Sequence, residues 1–371
     1  MTAGKFALYV LLIFGVSSAI VFAQFALHKR TKWWTALICL GIKFALSILF
    51  ALLAVAITSP FGWNVSPLTV ALYLTCLGDA VADLIAMIFV LIKKKPMNVW
   101  IRCVAGIVLT MSVMTYGMIN MQIVTGKDHT YYSEKLDHEY TVVFLADLHY
   151  GSAQSVSVVD KALSEIKEKN PDLILLGGDI TDEYTTKEEM AEIYRKIGAL
   201  GIKTYYIYGN HDRQPKASHA HGATYSDDEL RQTIADNGIT LLCDEYDRFA
   251  DDLVILGRED YSAGDGRKKV EELEARPTDA YVINVDHSPY QYDDIEKTKA
   301  DLQLSGHTHG GQYFPIGFDL GLFVHNVYGE YQKGDTHLFV TSGFSGWHDP
   351  FRTQKHCNYE VIRLVPKKEA A

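Results

Sequence analysis

Thiol chemistry is scarce in this chain. It holds five cysteines in 371 residues, none in a Cys-x-x-Cys pair, and three of them (Cys39, Cys76 and Cys103) lie inside apolar runs. That pattern excludes a zinc ribbon and a disulfide framework. Only Cys243 and Cys357 remain as a conceivable pair. Acidic residues are nearly absent from the first third. Up to Val124, nine lysines and arginines face only Asp79 and Asp83, which leaves 26 basic and 43 acidic side chains of the chain's 35 and 45 for the remainder. The net charge of −10 therefore averages a basic, apolar part and a strongly acidic, water-facing part. Such an acidic field argues against a nucleic-acid partner and attracts divalent cations. No internal repeat or low-complexity tract is present, and the length allows about two or three domains.

What the first third does contain is apolar runs. Four of them, Phe6 to Leu27, Trp33 to Thr58, Thr69 to Ile92 and Val99 to Val124, are each long enough to cross a bilayer as a helix. The basic loops HKRTK and KKKP separate the first from the second and the third from the fourth, whereas SPFGWNVSP between the middle two is uncharged. The positive-inside rule puts both basic loops in the cytoplasm, so the N-terminus and everything after Val124 are expected outside. A competing reading is a signal peptide cleaved near VFAQ, which would push the acidic part into the cytoplasm. Lys43, Asp79 and Asp83 fall within the spans; a charge pair locking the bundle is the expected role, with an ion path as the alternative.

After a linker over 125–139, the residues 140–371 read as alternating strands and helices. YTVVFLA, DLILLGG and KTYYIYG are apolar strands, each followed by a segment of helical spacing, and DLVILG and AYVINV are later strands. This is the pattern of an α/β domain, in which ligands gather at strand ends. The residues there are distinctive. ADLH supplies Asp147 and His149, GGDITD supplies Asp179 and Asp182, and GNHD supplies Asn210, His211 and Asp212. VDHSP supplies His287 and GHTHGG supplies His307 and His309. Each block alone is explained by helix caps, turns or solvated loops. Together they collect oxygen and nitrogen donors without thiolates, a set suited to Mn, Fe or Zn. Alternate residues of an extended segment share a side, so Asp147 and His149 can meet one ion, while the glycines around His307 and His309 let those two serve neighbouring ions.

These five blocks, in this order, resemble the signature of the calcineurin-like metallophosphoesterase superfamily, over roughly Glu139 to Leu364. The GHTHGGQ form is similar to its bacterial, membrane-associated branch. The resemblance implies a four-layer α/β/β/α domain behind the four-helix transmembrane region, and two divalent ions. One would be held by Asp147, His149, Asp179 and His309, the other by Asp179, Asn210, His287 and His307. It further implies attack on phosphorus by a hydroxide bridging the metals, protonation of the leaving oxygen by His211, and Asp212 orienting that histidine. Asp182 is expected to support the ligands by hydrogen bonds. The substrate expected is a phosphomonoester, phosphodiester or pyrophosphate, either a small molecule or lipid-linked, met at the bacterial plasma membrane with the lipid bilayer as partner. The rival class is a transporter or sensor whose outer domain only binds metal-phosphate. His219 and His221 are expected in a solvated loop, with substrate contact as the alternative. Arg352, near His348 in a Pro-x-Arg segment, is expected either to grip a phosphate or to form an ion pair.

Overall fold

The computed structural model describes residues 99–215, 222–273, 279–290, 296–314, 326–347 and 351–367, with scattered helical positions between 78 and 93. The first two expected spans, most of the third, and Lys43, Asp79 and Asp83 lie outside the described residues. The fourth forms helix α1, Val99–Met121, within which Val104–Met121 is long and apolar enough to cross a membrane by length and composition; among the described residues it is the one such helix. Ile101, Val104 and Val108 on it are exposed. The chain divides into two compact units, Met1–Met118 and Ile119–Ala371.

The second unit is built on two six-stranded sheets. In chain order the strands are β1 (Val124–Ser133), β2 (Tyr140–Leu145), β3 (Leu173–Leu176), β4 (Lys203–Tyr206), β5 (Ile239–Leu241), β6 (Glu245–Ala250), β7 (Leu253–Gly257), β8 (Tyr281–Val285), β9 (Leu302–Ser305), β10 (Gly329–Lys333), β11 (Thr336–Val340) and β12 (Cys357–Pro366). The first sheet runs β1-β12-β2-β3-β4-β5 and the second β10-β11-β9-β8-β7-β6. The pairs from β2 to β5, and from β7 through β8 and β9 to β11, are parallel.

Buried strands read as continuous apolar runs because both faces are covered. In β2, Val142 and Phe144 point between the sheets, while Val143 and Leu145 point to the helical side; in β3, Leu173 and Leu175 alternate with Ile174 and Leu176 in the same way. The inner layer joins these to Leu253, Ile255, Ile283, Leu302 and Leu304 of the second sheet. Three amphipathic helices, α2 (Val156–Glu168), α3 (Lys187–Gly198) and α4 (Asp227–Asp236), supply Val159, Ile166, Met190, Ile193, Leu230 and Ile234 to the other face. Thr186 and Ser226 start the last two with reciprocal capping boxes to Glu189 and Glu229. Part of the expected fourth layer lies outside the described residues, and residues 296–298 beside the second sheet are helical. Over the second sheet lies a smaller cluster of Val254, Leu256, Ala280, Val282 and Ala300 with Leu273, and the neighbouring described segments Tyr261–Gly266 and Val270–Glu272 are short 3-10 turns.

The linker expected over 125–139 is a correction. Val124–Ser133 is a ten-residue strand pairing in parallel with β12 along its whole length. Its polar sequence VTGKDHTYYS hides it, because an edge strand needs little apolar surface. Cys243 and Cys357 are both free, so no disulfide joins them.

Candidate metal centre

Parallel strands point their C-terminal ends the same way, so the loops after β2, β3, β4, β8 and β9 converge. There the structure gathers two groups of donor atoms, each within 4.8 Å: Asp147, His149 and His309 in one, Asp179, His287 and His307 in the other. Asn210 joins the second group, its Oδ1 lying 2.6 Å from His307 Nδ1 and 3.2 Å from His287 Nε2. Asp179 faces both groups. Its Oδ2 is 3.1 Å from His287 Nε2 and 3.8 Å from His149 Nε2. All seven residues expected as ligands are thus brought together.

The backbone is strained to achieve this. Asp147, His149, Asp179, His307 and His309 adopt φ between 46° and 70° without being glycine. Left-handed conformations of this kind cost energy and persist where the surroundings enforce them, often at functional sites. Two glycines permit the close approach. A Cβ on Gly209 would lie 2.2 Å from Asp179 Oδ1, and one on Gly306 would lie 2.7 Å from Asp147 Oδ2.

The supporting contacts fix which ring nitrogen faces inward. His149 Nδ1 lies 3.2 Å from Asp182 Oδ2, which also accepts from the Ser152 hydroxyl, so Asp182 supports His149 as expected. His309 Nδ1 meets the Ser345 carbonyl at 3.0 Å and His287 Nδ1 the Gly177 carbonyl at 2.8 Å. Such partners orient metal-binding imidazoles. His149 Nε2 is buried with no hydrogen-bond partner. An orphaned buried nitrogen facing two carboxylates fits a cation ligand, and so does the thiolate-free donor set.

Electrostatics divide the four imidazoles. Burial opposes charge on His149, but the bond to Asp182 and the field of Asp179 win and raise it to about 9; His287, against Asp179, is likewise raised well above its ordinary value. Burial and the neighbouring His287 lower His307 to about 4, and burial with His149 and Arg352 drives His309 well down. For Asp179, burial raises the carboxyl, yet the surrounding histidines hold it well below its usual range. The metal-free site therefore carries protons on His149 and His287 that a cation must displace. The raised pKa of His149 stabilises the metal-free fold fully below about 6.5, and that contribution is lost as pH rises through about 9. Calorimetric titration with Mn should accordingly show affinity increasing between pH 6.5 and 8.5, by about tenfold per pH unit for each proton released, while the metal-free melting temperature falls. A pH-independent affinity would contradict these assignments.

His211 and Asp212 part company. The His211 amide donates to Asp179 Oδ1 at 2.8 Å, and its Nδ1 lies 2.6 Å from Glu183 Oε2, both groups being buried. The ring stacks on Trp347 with centroids 5.5 Å apart. Asp212, expected to orient His211, instead accepts from the backbone amides of Asp179, Ile180, Thr181 and Gly209 at 2.7–3.0 Å. It shapes the loops and does not touch the imidazole. Glu183 takes the expected place of Asp212, and its sequence signal is only one more acid directly after GGDITD. Tyr290, which carries no such signal in the sequence, joins the site: its hydroxyl lies 2.5 Å from His307 Nε2. Arg352 forms no ion pair among the described residues. It is fully buried and donates to the carbonyls of His309, Ser342, Ser345 and His356. His219, His221 and His348 lie outside the described residues.

A twin-sheet α/β domain with acidic and imidazole donors gathered on strand-end loops is a frame built to hold divalent cations. Residues 140–311 match the family model for calcineurin-like phosphoesterase. The chain is similar to an uncharacterized metallophosphoesterase of Helicobacter pylori, 30% identical over 255 residues that cover 66% of this chain and 65% of that one. It is also similar to a transmembrane protein with metallophosphoesterase domain from Danio rerio, 25% identical and covering 72% and 63% of the two chains. With phosphodiesterase YaeI of Escherichia coli it shares 28% identity, covering 61% and 81%. This chain carries a calcineurin-like metallophosphoesterase domain. It spans about two thirds of the length of the Helicobacter pylori relative.

Proposed function

We propose that the protein hydrolyses phosphoric esters or pyrophosphates at a centre of two divalent cations, Mn, Fe or Zn by the chemistry of the donors. The observation that carries this is the pair of adjoining donor groups, Asp147–His149–His309 and Asp179–His287–His307, with Asp179 Oδ2 facing both. Asp147, His149, Asp179 and His309 would hold the first cation, and Asp179, Asn210, His287 and His307 the second. When bound, the pair would supply charge to neutralise phosphoryl oxygens and acidify a water for in-line attack. The chain's own part is to hold these ligands rigidly and to deliver a proton. With Nδ1 engaged by Glu183, His211 presents Nε2 as the atom from which a leaving oxygen takes its proton.

The expected surroundings are a lipid bilayer, with the phosphoesterase domain on the extracytoplasmic face and a phosphorylated small molecule or lipid-linked phosphate as substrate. The apolar helix α1 ahead of the domain and the name of the Danio rerio relative support membrane attachment. The full chain in detergent, loaded with Mn, should turn over bis(p-nitrophenyl) phosphate and lose that activity on chelation. A fully loaded protein with no turnover of this ester or of a panel of phosphomonoesters and pyrophosphates would sink the reading. A reporter fused after Ala371 that works only in the cytoplasm would sink the placement.

A further inference from the structure

Arg352 is an unusual buried guanidinium. It shows no exposure, and among the described residues it has no carboxylate partner, only four backbone carbonyls. Burying such a charge is costly unless its donors are used, and three of those carbonyls converge on Nη2. Two of them matter for the centre. One is the carbonyl of His309 itself, at 3.1 Å, and the other is the carbonyl of Ser345, at 2.9 Å. The Ser345 carbonyl also accepts from His309 Nδ1 at 3.0 Å. That bond fixes the tautomer in which His309 Nε2 is unprotonated, and Nε2 is the atom that faces Asp147 Oδ1, 3.7 Å away. The His309 backbone is held in the left-handed region at φ 50°, so its pose needs enforcement from outside.

The Arg352 segment is itself held from one place. Asn120, 1% exposed, donates through Nδ2 to the Arg352 carbonyl at 3.1 Å and to the Lys355 carbonyl at 2.8 Å. Its Oδ1 lies 2.6 Å from His356 Nδ1. Asn120 stands in the last turn of α1 and belongs to the second compact unit, which begins at Ile119. A buried amide that uses both ends on a single loop is a specific clamp.

We propose that Arg352, clamped by Asn120, is a positioning residue for the first cation site, fixing His309 in the pose and tautomer that bind metal. The proposal rests on the two-cation reading. The end of the apolar helix is then a working part of the metal centre as well as a tether.

The test is a titration of the full-length protein with Mn(II), followed by electron paramagnetic resonance, which distinguishes an exchange-coupled pair from an isolated ion. Wild type should bind two ions and give the coupled signal. Arg352→Lys keeps the charge but cannot span the three carbonyls. It should weaken one site by about 10- to 100-fold, as loss of a supporting contact to a ligand does, leave the other within threefold, and replace the coupled signal by that of an isolated ion. Asn120→Ala should shift the same site in the same direction by a smaller factor, and it decides alone if Arg352→Lys does not fold. Two unchanged affinities in these variants, or equal weakening of both, overturn the proposal while leaving the two-cation reading standing. A wild type that binds fewer than two ions removes that reading, and this proposal with it.

Discussion

Replacing Asp179 by Asn is expected to lower kcat for bis(p-nitrophenyl) phosphate by about three orders of magnitude. Asp179 Oδ2 faces an imidazole of each donor group, His149 and His287. In the proposed two-cation centre its loss would remove a negative ligand from each ion. Charge stabilisation by a metal pair is worth several kcal/mol, and each 1.36 kcal/mol is tenfold in rate, which sets the magnitude. The fold should survive. An asparagine oxygen at the Oδ1 position still accepts the His211 amide, and the loop remains tied by Asp212, which binds the Asp179, Ile180 and Thr181 amides independently of that side chain's charge. Turnover and melting temperature should be measured on the same Mn-loaded samples. Activity within threefold of wild type would show that the oxygen between the two groups is not needed.

The second large effect is expected at His211. General acid catalysis is worth about 10²- to 10⁴-fold, but only where the leaving oxygen needs a proton. His211→Gln should therefore cost that range with an alkyl ester and much less with a p-nitrophenyl ester, whose leaving group departs as a stable anion. Glu183→Gln should follow the same pattern with a smaller loss, because it removes the charge that orients the ring and leaves the ring in place. Rates across esters of graded leaving-group acidity check this. Equal losses for good and poor leaving groups would assign His211 to binding.

The parts of this design that could be read from sequence share one property: they are local. Buried strands such as LILL announce themselves because both faces are covered, and the polar residue that ends each run lies next to it in the chain. Asp147, His149, Asp179, Asn210, His287, His307 and His309 were therefore legible, and the structure gathers them. What was not legible depends on partners distant in sequence. Glu183 was hidden because nothing local says that an acid after Asp182 turns toward a histidine on another loop. Asp212 shows the converse: in GNHD it is adjacent to His211, yet its carboxylate turns to four backbone amides. From sequence Arg352 reads as a phosphate or carboxylate partner, since neither burial nor carbonyl partners can be seen there. The strand at Val124–Ser133 reads as a linker in sequence because an edge strand pairing with Cys357–Pro366 carries no alternating apolar signal of its own.

That pairing has a consequence for how the protein is made. β12 lies between β1 and β2 in the first sheet, parallel to one and antiparallel to the other. β1 is made early, but its neighbour is made only after both sheets' other strands have been synthesised. Pairings between such distant segments close late because the loop entropy must be met first. On the ribosome, the nascent domain would therefore carry a gap in its first sheet, with the edges of β1 and β2 unpaired, until residues 357–366 emerge. Unpaired strand edges invite pairing with other chains, which makes the interval before β12 arrives the period of greatest exposure to aggregation.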